Sequence, residues 1–282
     1  MMDGKPDQFS EPERGDADAS SVFAPISLEE TLSEAAMLTR VDNKYLVNRC
    51  QFRSLFNAIC DQYRLLTISD RSRFAYRSKY FDDSYRAYYE HHQGRRRRFK
   101  LRIREYVDSG DVYFELKLKG LRGQTVKFRQ SCDSFCVDQL DDNSPYYQLA
   151  RDWYENAYQR RFADRLSASL IVHYARISLV SVVGSERVTI DTDIVYEDAY
   201  NGESWDLSDN IAVVETKTEK GAGVMDHLLK KNGSRQVSKC SKYCLGLALG
   251  NRVARVNRFL PVLRKIRDID RVSAPFETRR RG

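Results

Sequence analysis

From Arg98 to Arg104 a cation alternates with an apolar residue, and from Tyr113 to Lys119 charged and apolar residues alternate again. Residues two apart on an extended strand share a face. Lys100, Arg102 and Arg104 therefore look one way, and Phe99, Leu101 and Ile103 the other. The pattern repeats: Glu115 and Lys117 oppose Phe114, Leu116 and Leu118, and Lys127 and Arg129 oppose Val126 and Phe128. Later runs place Arg176, then Arg187 with Asp191, then Glu215 with Lys217, in the same kind of position. Residues 95–130 hold twelve bases against four acids, Glu105, Asp108, Asp111 and Glu115. Two like charges about 6 Å apart repel by roughly 3 kcal/mol at an effective dielectric near 20, which is large beside a stability margin of about 5–15 kcal/mol. A solvated sheet face also alternates, but it mixes signs. Repeated guanidinium forks fit the clamping of phosphate or carboxylate. Isolated acids such as Glu115 and Glu215 inside that face suit a divalent metal bridging to phosphate oxygens.

The elements that must carry these residues follow from periodicity. "SLEETLSEAAML" (27–38) reads as a helix opened by a capping box, "LTRVDNKYLVN" (38–48) as a strand, and 49–66 as a helix, with Phe52, Leu55, Phe56 and Ile59 at helical spacing. Strands are expected at 73–83, 97–107, 111–119 and 123–130, with an aromatic helix at 84–94 ended by Gly94. Helices at 134–140 and near 145–163 precede strands at 170–180, 186–194 and 211–219, and helices at 223–231 and 241–250 follow. Antiparallel runs interrupted by helices argue for an α+β fold.

Composition narrows the class. The chain has 282 residues and a formal net charge of +7, enough for one large domain or two small ones. No run approaches the roughly 20 apolar residues of a membrane helix, and the N-terminus has no secretory h-region. The six cysteines form no C-x-x-C pair, so they read as reduced, packed thiols of a cytoplasmic protein. Cys132/Cys136 and Cys240/Cys244 would each share a helix face, a weak basis for metal. Residues 1–34 form an acidic leader, expected to be disordered, in which Lys5 and Arg14 are the only bases. A domain over 35–250 is followed by a basic tail, 251–282. In that tail Val256, Phe259, Leu260, Leu263 and Ile266 lie near one face, interrupted by Pro261. The tail could pack on the domain, meet a protein partner or touch anionic lipid, and Arg279–Arg281 reads as a basic end.

Taken together, "KYLV" (44–47), "SKYFDD" (78–83), "LRIREY" (101–106), "YFELKLKG" (113–120), "TVKFR" (125–129), "YARISL" (174–179), "RVTIDTDI" (187–194), "VVETK" (213–217) and "VSKCSKY" (237–243) resemble a known family. They are similar, in order, to the catalytic domain of the vacuolar transporter chaperone (VTC) polyphosphate polymerases, a branch of the CYTH-like triphosphate tunnel metalloenzymes. The resemblance implies a closed antiparallel β-barrel tunnel with a basic interior, flanked by helices. It implies that Lys44, Arg102, Arg104, Lys117, Lys127, Arg129, Arg176 and Arg187 line the tunnel and hold phosphates. Lys242, or less readily Lys239, would add a contact from the last helix. Glu215 would be the main metal ligand, with Glu115 beside it, for Mn²⁺ or Mg²⁺. The implied reaction passes the γ-phosphate of ATP to a growing polyphosphate chain. The arrangement is similar to stand-alone bacterial members, and the strand "VVETK" departs from the pattern in the polar Thr216 and Thr218 beside it.

Two other functions stay open at this level. A tunnel hydrolase of triphosphates would keep the fold; the related triphosphatases and cyclases carry E-x-E-x-K on the first strand, where this chain reads "RVDNKY". A polyphosphate or nucleic-acid binder would use Arg95–Arg98 and the tail, although acids inside the basic face serve no purpose in a binder, and the aromatic residues that could stack bases fall mostly at core positions.

Overall fold

The computed structural model describes residues 17–34, 41–120 and 125–273. The acidic stretch before Ala17, residues 35–40 and 121–124, and the Arg279–Arg281 end lie outside them. Within them are α1 (Ala17–Val22), β1 (Ala24–Ile26), α2 (Leu28–Glu34), β2 (Val41–Asn48), α3 (Arg49–Arg53), β3 (Tyr63–Leu66) and β4 (Phe74–Asp82). There follow α4 (Arg86–Gln93), β5 (Phe99–Tyr106), β6 (Asp111–Lys119), β7 (Thr125–Ser131), β8 (Gln139–Leu140) and α5 (Pro145–Tyr158). The chain continues through β9 (Leu166–Ser181), β10 (Arg187–Asp198), β11 (Ser204–Asp206), β12 (Ile211–Thr218), α6 (Val224–Lys231), α7 (Lys242–Leu249) and α8 (Leu260–Ser273).

The strands form one 12-stranded sheet whose main path runs β2-β12-β10-β9-β4-β5-β6-β7. Its ladders are antiparallel except β1 with β3, which is parallel. The alternation read from the sequence places one row of polar side chains inward, since residues opposite one another share a face. Lys44 pairs with Glu215 and Glu215 with Thr189; Asp191 pairs with Arg176; Arg102 pairs with Glu115 and Glu115 with Arg129.

The outward faces are apolar and covered by helices. Phe99, Leu101, Ile103, Phe114, Leu116 and Leu118 form one buried cluster with Tyr147, Ala150, Tyr154 and Tyr158 of α5. Those four recur at intervals of three and four, the stripe a helix presents to a sheet. Ser144 accepts from Tyr147 N and Pro145 occupies the first turn, both favourable starts. Tyr45, Val47, Ile177, Leu179, Val188, Ile190, Ala212 and Val214 form a second cluster with Phe52 of α3 and with Met225 and Leu229 of α6. α6 is pinned to it by two carboxylates. Asp226 accepts from Tyr45 Oη (2.6 Å), Asn43 Nδ2 (3.0 Å), Thr216 Oγ1 (2.9 Å) and Gly223 N (2.9 Å). Glu186 accepts from Tyr63 Oη (2.7 Å) and Val224 N (2.8 Å). This explains the polar Thr216: it faces outward and holds α6.

The expected closed barrel is not formed as a ladder. Among the described residues no ladder joins β7 to β2. The free edge of β2 is taken instead by a return segment: Gln236 bridges Tyr45, Val237 N donates to Lys44 O at 2.7 Å, and Gln236 Nε2 donates to Asn43 Oδ1 at 2.7 Å. β7 carries Lys127 and Arg129, the usual guard of an exposed edge. The sheet curls all the same. Lys117 of β6 is within electrostatic range of Glu215 of β12, and Lys119 of β6 is within range of Asp42 of β2, strands distant from one another along the ladder path.

Beyond the charged row, the inner face becomes apolar and lies under α4, α7 and α8. Leu46, Tyr80, Leu170, Val172 and Val213 pack there with Tyr243, Cys244 and Leu247 of α7, and with Val262, Leu263 and Ile266 of α8. An irregularity between Thr192 and Val195 switches the parity of β10, turning Ile194 and Tyr196 into this cluster. α7 rides so close that a Cβ at Gly246 would sit 2.4 Å from the Tyr196 ring. The apolar stripe of the tail thus packs within the domain. Pro261 does not interrupt α8; it lies in the helix's first turn, where its missing N–H is harmless.

Three local expectations change. Residues 49–66 give a short α3, two 3₁₀ turns and β3 rather than one helix. Residues 134–140 hold β8 and no helix. Ala17–Ile26, read as leader, forms α1 and β1, with Phe23 buried in the domain, while the helix expected after Ser27 is α2, opened by the Ser27–Glu30 capping box.

Candidate active site

The inner row assembles three carboxylates, Glu115 and Asp191 buried and Glu215 partly so, each beside two or more cations. Glu115 is fully buried; Arg102 Nε and Nη2 donate to its Oε2 at 2.8 and 2.5 Å, and Lys127 and Arg129 approach Oε1. Asp191, also buried, accepts from Arg176 Nε and Nη2 at 2.5 and 2.8 Å and from Lys242 Nζ. Glu215 accepts from Lys44 Nζ at 2.6 Å and lies 3.4 Å from Lys217 Nζ. Desolvation would raise each acid, but the paired cations outweigh it and all three are held well below the usual carboxylate range. For Lys44, burial acts downward and Glu215 outweighs it, so the ammonium is held above its ordinary value.

The other lysines are held differently. Lys117 is well below its ordinary value: burial comes first and Arg102 and Arg104 add to it, while Glu215 and Glu115 oppose. Lys217 is lowered to about 8 by burial, against the pull of Glu215 and with help from Arg176 and Lys44. Lys100 and Lys127 are lowered for the same primary reason. Cations gathered beside too few acids leave this face short of negative charge.

Aromatic rings floor the site. Tyr76 and Tyr174 stack with centroids 5.2 Å apart, and Arg104 and Arg176 each lie within cation–π distance of both rings. Lys242 Nζ sits 4.5 Å from the Tyr174 centroid, Arg102 Nη1 donates to Tyr80 Oη at 3.1 Å, and Arg129 lies 3.5 Å over the Tyr113 ring. These rings hold the long side chains at the inner face.

Of the residues expected from the sequence, the structure gathers Lys44, Arg102, Arg104, Lys117, Lys127, Arg129, Arg176, Lys242, Glu115 and Glu215 on this face. Arg187 stands opposite Lys217 at the end of the row, and its Nη2 donates to Thr31 O of α2 at 2.6 Å. Lys239 is exposed, at the rim near Arg98 and Arg258. Sequence reasoning assigned no site role to Asp191, Lys217, Lys100 or the tyrosines, although strand parity already put Asp191, Lys217 and Lys100 on the right face.

For a metal the donor set is sparse. Among the described residues no three potential metal-ligating side chains gather, so no complete protein cage exists. A hard ion such as Mg²⁺ is commonly held by one or two carboxylates with phosphate oxygens and water completing its shell. Glu215 and Glu115 fit that mode, and the buried Glu115 Oε1 receives no aligned hydrogen bond despite the Lys127 ammonium beside it.

The titration of Lys217 gives a testable consequence. Its folded value, about 8, lies below the ordinary one, so its burial favours folding only above the unfolded value, and that contribution is lost as pH falls through about 8. A polyanion bound beside Lys217 would reverse the preference and draw a proton on. Tripolyphosphate binding is therefore expected to weaken by about tenfold per pH unit between about 8 and 10 for each lysine titrating. Calorimetry at pH 8.5 in buffers of different ionisation heat checks this through net proton uptake; no uptake would mean the lysines do not meet the anion.

Comparisons with known proteins give one family match: the model of the VTC domain matches residues 39–251. Solved structures are similar at a distance. The PH1819 protein of Pyrococcus horikoshii OT3 aligns with TM-score 0.42 and 13% identity, covering 75% of this chain and 99% of that one. HpAC1 of Hippeastrum, an adenylyl cyclase candidate with a dominant triphosphatase activity, aligns with TM-score 0.43 and 15% identity over 74% of this chain and 96% of its own. An adenylate cyclase candidate of Vibrio parahaemolyticus aligns with TM-score 0.39 and 13% identity, over 73% and 97%. No match is found among curated proteins.

Proposed function

The chain belongs to the VTC domain family, and from that premise we propose that it is a polyphosphate polymerase, transferring the γ-phosphate of ATP to a growing inorganic polyphosphate chain. The observation that carries the reading is the excess of cations over carboxylates on the concave face, Lys44, Arg102, Arg104, Lys117, Lys127, Arg129, Arg176, Lys217 and Lys242 against Glu115, Asp191 and Glu215. Phosphoryl transfer through a loose transition state asks for positioning and charge neutralisation more than for a protein nucleophile. The residues suit that demand. Arg102, Arg104, Lys127 and Arg129 would grip phosphates on one wall, and Lys44, Lys217, Arg176 and Lys242 on the other. The thiol nearest them, Cys240, is pushed up by burial and stays neutral, so no covalent intermediate is invoked. The terminal oxygen of the chain attacks the γ-phosphorus, the bond to the bridging β–γ oxygen breaks, and ADP leaves. A divalent ion, Mn²⁺ or Mg²⁺, held by Glu215 with Glu115 as the second carboxylate, would neutralise phosphate charge.

The test is incubation of the purified protein with ATP and either Mn²⁺ or Mg²⁺, with products resolved on a gel stained for polyphosphate. A ladder of chains with ADP supports the polymerase. Free phosphate without chains replaces it with a triphosphatase using the same grip, and no turnover with either metal ends the enzymatic reading.

A further inference from the structure

Outside the concave face, an open groove of about 810 Å³ lies along α4 and the loop that leads into β5. Arg86, Arg95, Arg96, Arg97 and Arg160 line it against only Asp83 and Glu90. Glu90 is half-buried beneath, 3.6 Å from Arg86 Nε, and Asp83 lies 3.9 Å from Arg86 Nη1. Both acids lie against Arg86, and Glu90 also attracts Arg160 and Arg95, so five arginines share two carboxylates. Arg95, Arg96, Arg97 and Arg160 are exposed, and among the described residues Arg97 and Arg160 form no ion pair.

The groove joins the inner site through the chain itself. Arg98 accepts on its carbonyl from Lys119 N at 3.1 Å, so it continues the β5–β6 ladder by one residue. Its charge is felt by Lys119 and by Lys239. Going inward, Lys100, Arg102 and Arg104 follow on the same face at about 6.6 Å intervals, the two-residue rise of a strand. Going outward, Arg97, Arg96 and Arg95 turn into the groove. One unbroken line of cations therefore leads from the partner of Glu115 to the outer surface.

We infer that this arginine groove is a second polyanion site, the track on which an inorganic polyphosphate chain lies after leaving the concave face. The inference rests on the polymerase reading for its ligand, and the geometry favours that ligand over nucleic acid. Single-stranded nucleic acids are held by successive aromatic platforms, and Tyr89 is the sole aromatic side chain lining the groove. Arginine forks without stacking surfaces suit a chain that is all phosphate.

The experiment compares the parent protein with Arg95→Ala/Arg97→Ala/Arg160→Ala, three surface changes whose folding is checked by thermal melting. Two probes are titrated over a range of salt: tripolyphosphate, and polyphosphate of about a hundred units. The triple variant is expected to bind tripolyphosphate like the parent. It should bind the long chain about tenfold or more weakly, with the slope of log K against log salt reduced by about 2, three contacts at about 0.7 each. Unchanged long-chain affinity and slope would overturn the groove. Equal loss of binding for a single-stranded RNA of matched charge would overturn the polyphosphate assignment. If the parent fails to bind tripolyphosphate, the inner-site reading falls while the long-chain comparison still judges the groove.

Discussion

Glu215→Gln is expected to turn over ATP about 100-fold or more slowly than the parent protein, the loss that follows removal of one preorganised electrostatic group, and to bind metal-free tripolyphosphate more tightly. The two effects have one cause. At rest Glu215 occupies Lys44 at 2.6 Å and Lys217 at 3.4 Å, so it competes with phosphate for both ammonium groups. An amide removes the competitor and also the negative charge a divalent ion needs. A steady-state assay of ADP release and a calorimetric titration without metal measure the two sides. Loss of binding together with turnover would show that Glu215 merely holds the lysines in place. Turnover within tenfold of the parent would remove it from the metal site.

Arg102→Ala is expected to destabilise the fold by about 3–5 kcal/mol, the cost of leaving a buried charge without its partner. Glu115 is fully buried, and Arg102 supplies both donors to its Oε2. The double variant Arg102→Met/Glu115→Leu should recover most of that stability, since replacing both members of a buried pair with apolar groups is often near neutral. Neither variant should bind tripolyphosphate as the parent does. Urea denaturation distinguishes the cases: a double variant no more stable than the single one would mean that Lys127 and Arg129, not Glu115, carry the loss.

The inner row was legible because β5 and β6 bury an apolar face whose hydrophobes cannot exchange places with the cations opposite, and β7 repeats their alternation at the exposed edge. The same logic reached Glu215 on β12. It gave less on β10, where the irregularity after Thr192 switches parity and hides the inward turn of Tyr196. β9 runs 16 residues, and its first four, Leu166–Ser169, were missed because two serines in four residues hide the strand signal. Phe52, Phe56 and Ile59 mimic a helix because spacings of four and three also suit consecutive 3₁₀ turns, all three being buried. The role of Asp191 was hidden for another reason. Nothing local distinguishes it from a solvated acid; its partners Arg176 and Lys242 come from 15 and 51 residues away. The contact of Arg187 with α2 was equally unreadable, since Thr31 lies 156 residues away.

The return segment at the edge of β2 has a consequence for how the chain can vary in length. Val237 is fixed to Lys44 by its backbone, and Lys242 is fixed to Asp191 by its side chain. Only residues 238–241 span the interval, with Lys239 already at φ +59°. An insertion or deletion there would slide one cation against the other, although neither was touched. The turn at Tyr200, 96% exposed between β10 and β11, is held at its base by Arg252 on Asp198 and Glu203 but fixes no cation of the inner row. Change in length is therefore tolerated at that turn and refused in the few residues between the two lysines, which act as a spacer.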